Sequence, residues 1–538
     1  MDQVLSKIAQ LNEIGIALSA ATDVNILCDM ILTGAMQLTN ADGGSLYRVS
    51  EDKSSLEFVI VSTHSLDIHM GGSSGQKIKF PAIPLIVNGQ ANKSNVVSCA
   101  VHDDKTINIP DVYHAEGFDF SGTRKFDQQT CYCTKSILTI PLKNHHNDII
   151  GVLQLINAKH ETSGETLEFS KADQQLAESL ASQAAVAITN KKLIEEQREL
   201  FESFIKLMAG AIDEKSPYTG GHCKRVPELT MMIADACHQS KSDALKNFKM
   251  TNKDRYELTI AGWLHDCGKV TTPEYVVDKA TKLETIYDRI NTVDTRFEVL
   301  KRDAIIDAMQ KKIDRTQKKS PPDFSDIDTD LTEKIKNLND DRDFIRQSNI
   351  GGEFMDENLR QRIKDIADYR WIDSEGTNTK FFNDDEVENL TIAKGTLTDA
   401  EREVIQNHMA ITIKMLAQLP FPRHLKNVPE YAGGHHERMD GKGYPQGLTR
   451  EQMSIPARIM GIADIFEALS ASDRPYKKGK SLTECLQILG SMKKNQHIDP
   501  DIFDVFVREK IYMKYAQIFL AADQIDDVDH SQIPGFSE

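Results

Sequence analysis

Histidine and aspartate residues that could bind a metal occur in five separate segments of the chain. The most unusual segment is HHERMDGKGYP at residues 435–445, whose charged residues and two glycines predict a loop. Imidazole and carboxylate together suit iron, manganese, zinc or nickel, and the absence of cysteine from the set argues against a structural zinc site. The ordered set therefore predicts a metal centre. Its candidate ligands are His222, His265, Asp266, His408, His435, His436 and Asp464.

Asp266 stands beside His265 in the segment WLHDCGKV, where its carboxylate is placed to bridge two ions. Two divalent ions about 3.5–4 Å apart can clamp a phosphate and activate a water for in-line attack. Lys269 follows Asp266 by one helical turn, so its ammonium can reach a non-bridging phosphate oxygen. Asp266 and Lys269 are therefore the candidate catalytic residues of a phosphate-ester hydrolase.

The elements that must position these residues are mostly helices. From residue 201 onward, apolar residues recur at helical spacing. The segments are 223–239, 252–267, 284–316, 398–418, 454–470 and 500–517. Residues 301–390 are strongly charged, which predicts solvated helices and loops rather than core, and hence an insertion.

The first 190 residues show a different pattern. Helical periodicity up to residue 40 is followed by strand-like runs, so this block is predicted to be α+β. The runs are 44–49, 56–62, 136–142 and 149–157, and the turn NHHND separates the last two. Residues 171–212 form a long helical pattern with no proline or glycine before Gly210. A long helix needs a partner for its apolar stripe, which favours a coiled-coil connector in a homodimer over a buried core helix.

Composition argues against two classes of partner. A net charge of -17 argues against binding to a nucleic-acid polymer, whose phosphates favour basic faces. The most apolar segment, IIGVLQLINA, is too short to span a bilayer, and the N-terminus has no signal-peptide pattern. The eight cysteines are scattered, as is typical of reduced thiols. We therefore expect a cytoplasmic protein without membrane insertion.

Three blocks, HDCGK, HHERMDGKGYP and ADIFEALSASDRPYKKG, resemble the HD-GYP family. Its members are all-helical, metal-dependent phosphodiesterases that hydrolyse the bacterial messenger cyclic di-GMP. The resemblance covers roughly residues 200–280 and 390–525. It implies that the seven candidate ligands hold divalent ions, iron or manganese in the first place, with zinc, nickel or magnesium as alternatives.

The same resemblance implies contacts with the substrate. Lys269, Arg474 and Lys477 would hold its phosphates and guanine edges, with Arg474 binding through its bidentate fork. Gly443 and Tyr444 belong to a Gly-Tyr-Pro turn that would border the substrate groove. A surface ion pair remains the alternative for Arg474, and packing under the loop remains the alternative for Tyr444.

The sequence departs from the family pattern at two points. A charged insertion of roughly 110 residues, at about 285–390, precedes His408; it is either a helical hairpin without function or a lid or docking arm. Three-metal members place a glutamate four residues before the first histidine ligand, where this chain has Tyr218. Glu214 lies further upstream as a possible substitute. We therefore expect two ions rather than three.

Residues 1–190 resemble a GAF domain, a small-ligand sensor with a central antiparallel sheet flanked by helices. The segment 107–159 is similar to the cyclic-nucleotide-binding GAF domains of animal phosphodiesterases, which carry an N-K…F-x-x-x-D-E signature. Asn157, Phe169 and Asp173 fit that signature, but Ala158 and Gln174 replace its lysine and glutamate. A nucleotide ligand, another small molecule and a purely dimerising role all remain open.

These patterns predict three regions: a GAF sensor domain at residues 1–170, a connecting helix at 171–212 and an all-α HD-GYP catalytic domain at 213–538. The expected activity is hydrolysis of cyclic di-GMP to pGpG, GMP or both, under control of the GAF domain. The alternatives are hydrolysis of another cyclic dinucleotide or phosphate ester, and a non-catalytic cyclic di-GMP receptor.

Overall fold

A computed structural model describes residues 2–21, 23–215, 221–317, 322–352, 354–472 and 479–536. Its internal contacts divide the chain into an N-terminal unit, Met1–Leu200, and a C-terminal unit, Phe201–Glu538. Among the described residues there is no helix with both the length and the apolar character that a bilayer span requires.

The N-terminal unit is built on an antiparallel sheet. Its strands are β1 (Ala41–Val49), β2 (Ser55–Thr63), β3 (Ile68–Gly71), β4 (Ile83–Pro84), β5 (Ile86–Val87), β6 (Gln90–Ala91), β7 (Ile107–Ile109), β8 (Ile137–Lys143), β9 (Ile149–Lys159) and β10 (Thr166–Leu167). The strand order is β3-β2-β1-β9-β8-β7, with β4 beside β2 and β10 beside β9, while β5 and β6 form a separate hairpin. The longer strands match the predicted runs, and β8 and β9 form the predicted hairpin.

Helices cover both faces of this sheet. They are α1 (Asp2–Ala20), α2 (Val24–Thr39), α3 (Val96–Asp103), α4 (Ser121–Thr130) and α5 (Lys171–Lys215). Successive side chains of a strand point to opposite faces. Leu46 of β1 therefore packs in the core formed with α2 and the start of α5, while Tyr47 packs in a second cluster with Val97 of α3.

The described part of the C-terminal unit is helical apart from one β-hairpin, β11 (Arg370–Ile372) and β12 (Asn378–Lys380). Its helices are α6 (His222–Gln239), α7 (Asn252–Leu264), α8 (Glu274–Val277), α9 (Ile290–Thr316), α10 (Ser325–Asn349), α11 (Glu357–Ala367), α12 (Asp384–Leu390), α13 (Asp399–Gln406), α14 (His408–Ala417), α15 (Val428–Gly433), α16 (Ile455–Ser470), α17 (Leu482–Lys494), α18 (Pro500–Arg508) and α19 (Ile511–Phe519). A short 3-10 helix, Cys267–Thr271, follows α7.

The charged insertion has an apolar core of its own. Phe297, Ile345 and Phe381 are buried in a cluster distinct from the main core of the unit. The expectation of solvated helices and loops is therefore incomplete, because sparse apolar residues within a charged segment converge on folding. Two buried lysines that precede the insertion contact residues that follow it. Lys279 Nζ donates to Glu401 Oε2 at 2.7 Å, and Lys282 Nζ donates to the Ile392 carbonyl at 2.7 Å.

Candidate metal centre

The first group of potential ligands contains His222, His265 and Asp266. His222 is the first residue of α6, and His265 and Asp266 follow α7. Asp266 Oδ2 lies 3.3 Å from His222 Nε2 and 3.2 Å from His265 Nε2. Asp464 of α16 adds a second carboxylate, with Oδ1 3.3 Å from His222 Nε2. Two imidazoles and two carboxylates thus face one point.

The second group contains His408, His435 and His436, whose potential ligand atoms lie within 4.8 Å of one another. His408 begins α14, and the adjacent pair follows α15. Asp266 Oδ1 lies 3.3 Å from His408 Nε2. Asp266 therefore directs one oxygen to each group, and the structure brings all seven predicted ligands together.

Backbone carbonyls fix the orientation of three of these imidazoles. His265 Nδ1 lies 2.7 Å from the Gly262 carbonyl, and His435 Nδ1 lies 2.7 Å from the Ala432 carbonyl. His408 Nδ1 makes the same contact with the Ile405 carbonyl. A carbonyl can only accept, so Nδ1 carries a proton in each case and Nε2 is the atom directed at the centre.

His222 is held by a carboxylate instead. Its Nδ1 lies 2.5 Å from Glu467 Oε2, and the other oxygen of Glu467 accepts from Arg225 Nε at 2.7 Å. Glu467 is 1% exposed and stands one turn after Asp464 on α16. Neither Glu467 nor Arg225 was predicted from the sequence. The available signal was their spacing, because each follows a ligand by three residues.

The donor atoms fit a divalent cation. Among the described residues, Asp266 Oδ1, His408 Nε2 and His435 Nε2 are buried with no hydrogen-bond partner. Asp266 Oδ1 and His408 Nε2 face each other at 3.3 Å. A buried polar atom without a partner costs about 1–3 kcal/mol, and a divalent cation would satisfy all three of these atoms.

The electrostatics favour the protonation states that bind metal at Asp266, His435 and His436. Burial raises the pKa of Asp266, but Lys269 and His265 outweigh it and hold that pKa well below its ordinary value. Burial lowers the pKa of His436 to about 4. Burial, with His436 and His265 nearby, also holds the pKa of His435 well below its ordinary value. Neutral imidazoles and ionised carboxylates are the forms that coordinate metals.

His222 differs in this respect. Burial lowers its pKa, but Glu467, Asp266 and Asp464 outweigh that effect and raise the pKa well above its ordinary value. A cation bound beside His222 would replace this proton.

Three of the predicted substrate contacts lie beside the centre. Lys269 Nζ is 2.6 Å from Asp266 Oδ2. The Tyr444 ring stacks on His436, with centroids 4.8 Å apart. A side chain at Gly443 would place its Cβ 2.4 Å from Glu437 Cα, so the loop requires glycine at this position.

Glu437 holds this loop and was likewise not predicted from the sequence. It is 4% exposed, and it accepts hydrogen bonds from the backbone N–H groups of Gln446 at 2.7 Å and Leu448 at 2.9 Å. Its position directly after the histidine pair was the only signal. Arg474 and Lys477, the other predicted substrate contacts, lie outside the described residues, as does Tyr218.

The residues that match the cyclic-nucleotide GAF signature make internal contacts. Asn157 Oδ1 accepts from the Lys135 backbone N–H at 2.7 Å, and its Nδ2 donates to the Cys133 carbonyl at 2.8 Å. Asp173 pairs with Lys7 at 3.1 Å. These polar groups therefore support the fold of the N-terminal unit.

Two families match parts of the chain. Residues 23–188 match the GAF domain, and residues 381–502 match the HD domain. The HD match begins near the end of the insertion, so it includes His408, His435, His436 and Asp464 but not the earlier ligands.

Curated relatives match over similar lengths. The 3'3'-cGAMP-specific phosphodiesterase 1 of Vibrio cholerae is 38% identical over 127 residues, which cover 24% of this chain and 28% of the relative. A cyclic di-GMP phosphodiesterase of Pseudomonas aeruginosa is 39% identical over 114 residues, covering 21% of this chain and 26% of the relative. A cyclic di-GMP phosphodiesterase of Thermotoga maritima is 34% identical over 131 residues, covering 22% of this chain and 35% of the relative. The chain thus spans about a quarter to a third of the length of these relatives. It joins a segment that matches the GAF domain to a later segment that matches the HD domain.

Proposed function

We propose that this chain is a metal-dependent phosphodiesterase that hydrolyses cyclic di-GMP to pGpG, GMP or both. The observation that carries the proposal is the position of Asp266, whose two oxygens face two separate groups of imidazoles. One carboxylate between two ligand groups is the arrangement expected of a centre for two ions that acts on phosphate esters. The names of the relatives support a cyclic dinucleotide as the substrate.

The proposed centre holds two divalent ions, iron or manganese in the first place. His222, His265 and Asp464 would hold one ion; His408, His435 and His436 would hold the other, and Asp266 would contact both. When bound, such ions polarise a phosphodiester and supply nucleophilic water at neutral pH. The chain fixes its own donors beforehand, because carbonyls and Glu467 hold the proton on each Nδ1 identified above.

Other side chains would bind and orient the substrate. Lys269, which lies beside Asp266, would contact a non-bridging phosphate oxygen. Tyr444 and Gly443 would border the groove, and Arg474 and Lys477 would hold phosphates and guanine edges. The GAF domain would bind a small ligand and control the HD domain. The free cysteines and the substrate class support a cytoplasmic location.

A second candidate substrate is 3'3'-cGAMP, because two of the most similar relatives are named as specific for it. The two substrates share the cyclic phosphodiester ring and differ in one base. The centre itself acts on the phosphodiester and does not distinguish them.

Product analysis tests both candidates. Purified full-length protein loaded with Mn²⁺ or Fe²⁺ is expected to convert cyclic di-GMP to pGpG or GMP, with kcat/KM at least about tenfold higher than for 3'3'-cGAMP. Such a ratio corresponds to about 1.4 kcal/mol. The reverse ratio would assign the enzyme to 3'3'-cGAMP. Binding of either nucleotide without turnover by the metal-loaded protein would identify a receptor.

We also propose that the chain forms a homodimer through α5. Apolar side chains recur every seven residues on an exposed face of this helix: Val186, Leu193, Leu200 and Leu207, which are 46%, 48%, 71% and 69% exposed. The interleaved positions at the alternating spacing of three and four are Asn190, Gln197, Phe204 and Ala211. This is a heptad pattern. Leucine repeats at one of its two seam positions, and the other seam position includes the polar residues Asn190 and Gln197, as in parallel two-stranded coiled coils. The repeat matches a second copy of the same helix.

Leu200→Glu is expected to convert the dimer to a monomer. Each chain would lose a leucine that the proposed dimer buries, worth about 2–5 kcal/mol, and would bring a carboxylate against its copy in the coiled-coil seam. Sedimentation at micromolar concentration gives the mass. Lys206→Glu, a charge change on an exposed position of the same helix outside the seam, should leave the dimer intact. A monomeric wild-type protein would refute the homodimer.

A further inference from the structure

The last turn of α5 contacts two segments that carry proposed metal ligands. Lys215 Nζ donates to the backbone carbonyls of Lys269, Val270 and Thr272, at 3.2, 2.6 and 2.7 Å. These carbonyls belong to the 3-10 helix Cys267–Thr271 and the residue after it, directly beyond Asp266.

The contact is chemically specific. An ammonium has three N–H donors, and all three find a carbonyl here. Carbonyls at the end of a helical turn carry partial negative charge, so a cation stabilises them, although the Lys269 carbonyl also accepts from the Thr272 N–H at 3.1 Å. Lys215 therefore caps the turn from another helix. The turn cannot move away from α5 without breaking three hydrogen bonds.

Asp213 makes the corresponding contact with the start of α6. Its Oδ2 accepts from the Gly221 N–H at 3.1 Å, and its Oδ1 accepts from the Cys223 N–H at 3.2 Å. His222 lies between these two residues. A carboxylate at a helix N-terminus satisfies N–H groups that have no partner within the helix and interacts favourably with the helix dipole.

Packing fixes this end of α5 in the C-terminal unit. Ala209 and Ile212 are buried in its main core, on the face opposite Leu207, which is exposed. The side chains at positions 213 and 215 therefore project from a firmly held helical turn toward the ligand segments.

We propose that Asp213 and Lys215 are positioning residues for the metal centre. They hold His222 and the turn of Asp266 and Lys269 in register with the end of α5. A displacement of α5 would reach both ligand segments through these two side chains. This proposal rests on the proposed function, because positioning the ligands matters only if the metal centre is catalytic. Its test requires only metal binding.

The test is a Mn²⁺ titration of the full-length protein, with free Mn²⁺ followed by electron paramagnetic resonance. Lys215→Met should lower the Mn²⁺ affinity by about 10–100-fold, the range found when groups that support metal ligands are removed. Lys215→Arg, which retains several N–H donors, should restore affinity to within about threefold of wild type. Lys206→Met, at an exposed lysine of the same helix, should bind as wild type does. Asp213→Asn is measured in parallel and should also lower the Mn²⁺ affinity. If K215M does not fold, this variant alone tests whether the end of α5 positions the metal ligands.

A purely structural role gives a different result. In that case K215M and Asp213→Asn would lower the melting temperature of the metal-free protein, while the folded protein kept its Mn²⁺ affinity. That outcome would overturn the inference, as would failure of arginine to restore binding to K215M. Because the readout is metal affinity, a wild-type protein that binds Mn²⁺ without hydrolysing a cyclic dinucleotide would contradict the proposed function alone.

Discussion

Asp266→Ala should abolish hydrolysis and remove the metal from the centre. Asp266 is the residue whose oxygens face both groups of imidazoles, so its loss separates the two halves of the proposed site. Removing a member of a catalytic unit that acts as a whole costs far more than trimming one contact, and we expect a decrease in kcat/KM of roughly 10³-fold or more. Elemental analysis should show the loss of at least one ion per chain.

The controls separate this effect from unfolding. Asp266→Asn keeps the volume of the side chain and an oxygen that can accept from Lys269, so it should fold even if the alanine variant does not. It should still lose activity, because a neutral amide is a poor ligand for two cations. Asp243→Ala, at a carboxylate whose side chain is 97% exposed, should behave as wild type does. Activity in folded D266N within tenfold of wild type would contradict the role of Asp266.

Glu467→Gln should have the second-largest effect, on metal affinity and on stability together. The two oxygens of Glu467 accept from His222 and from Arg225. Glutamine offers only one oxygen, so one of these donors must face an N–H group. We expect metal affinity to fall by about 10–100-fold, as is typical when the partner of a ligating histidine is altered. A buried donor left unpaired should also lower the free energy of unfolding by about 1–3 kcal/mol.

Metal titration and thermal unfolding measure these two effects. Glu509→Gln, at an exposed glutamate, is the matched control. Unchanged metal affinity in folded E467Q would show that the contact with Glu467 supports the fold and does not tune His222.

The metal ligands were predictable because their chemistry is selective. Few functions require five histidines and two aspartates on separate helices and loops, and the structure brings all of these together. Glu467 and Glu437 were not predicted, because their positions near the ligands are a weak signal: a glutamate on a helix or loop has the same local sequence whether it is buried against a ligand or solvated. Only the packing around His222 and around residues 446–448 distinguishes them.

The elements show the same contrast. The predicted helix 171–212 agrees with α5 except that α5 continues for three more residues at its C-terminal end. The agreement is close because the helical periodicity of this segment is uninterrupted. The two-residue strands β4 to β6 were not predicted, because alternation cannot be detected over so short a span. The core of the insertion was missed because Phe297 and Phe381 are 84 positions apart in a charged segment, although their rings lie 4.6 Å apart.

The most direct test of the proposed two-ion centre is a metal titration of turnover. Full-length protein stripped of metal receives measured equivalents of Mn²⁺ or Fe²⁺, and hydrolysis of cyclic di-GMP is followed while bound metal is counted in the same sample. We predict no turnover in the stripped protein and a maximal rate reached at two ions per chain. Turnover by the fully stripped wild-type protein would contradict a catalytic centre joined by Asp266, as would failure to hydrolyse either cyclic di-GMP or 3'3'-cGAMP with two ions bound.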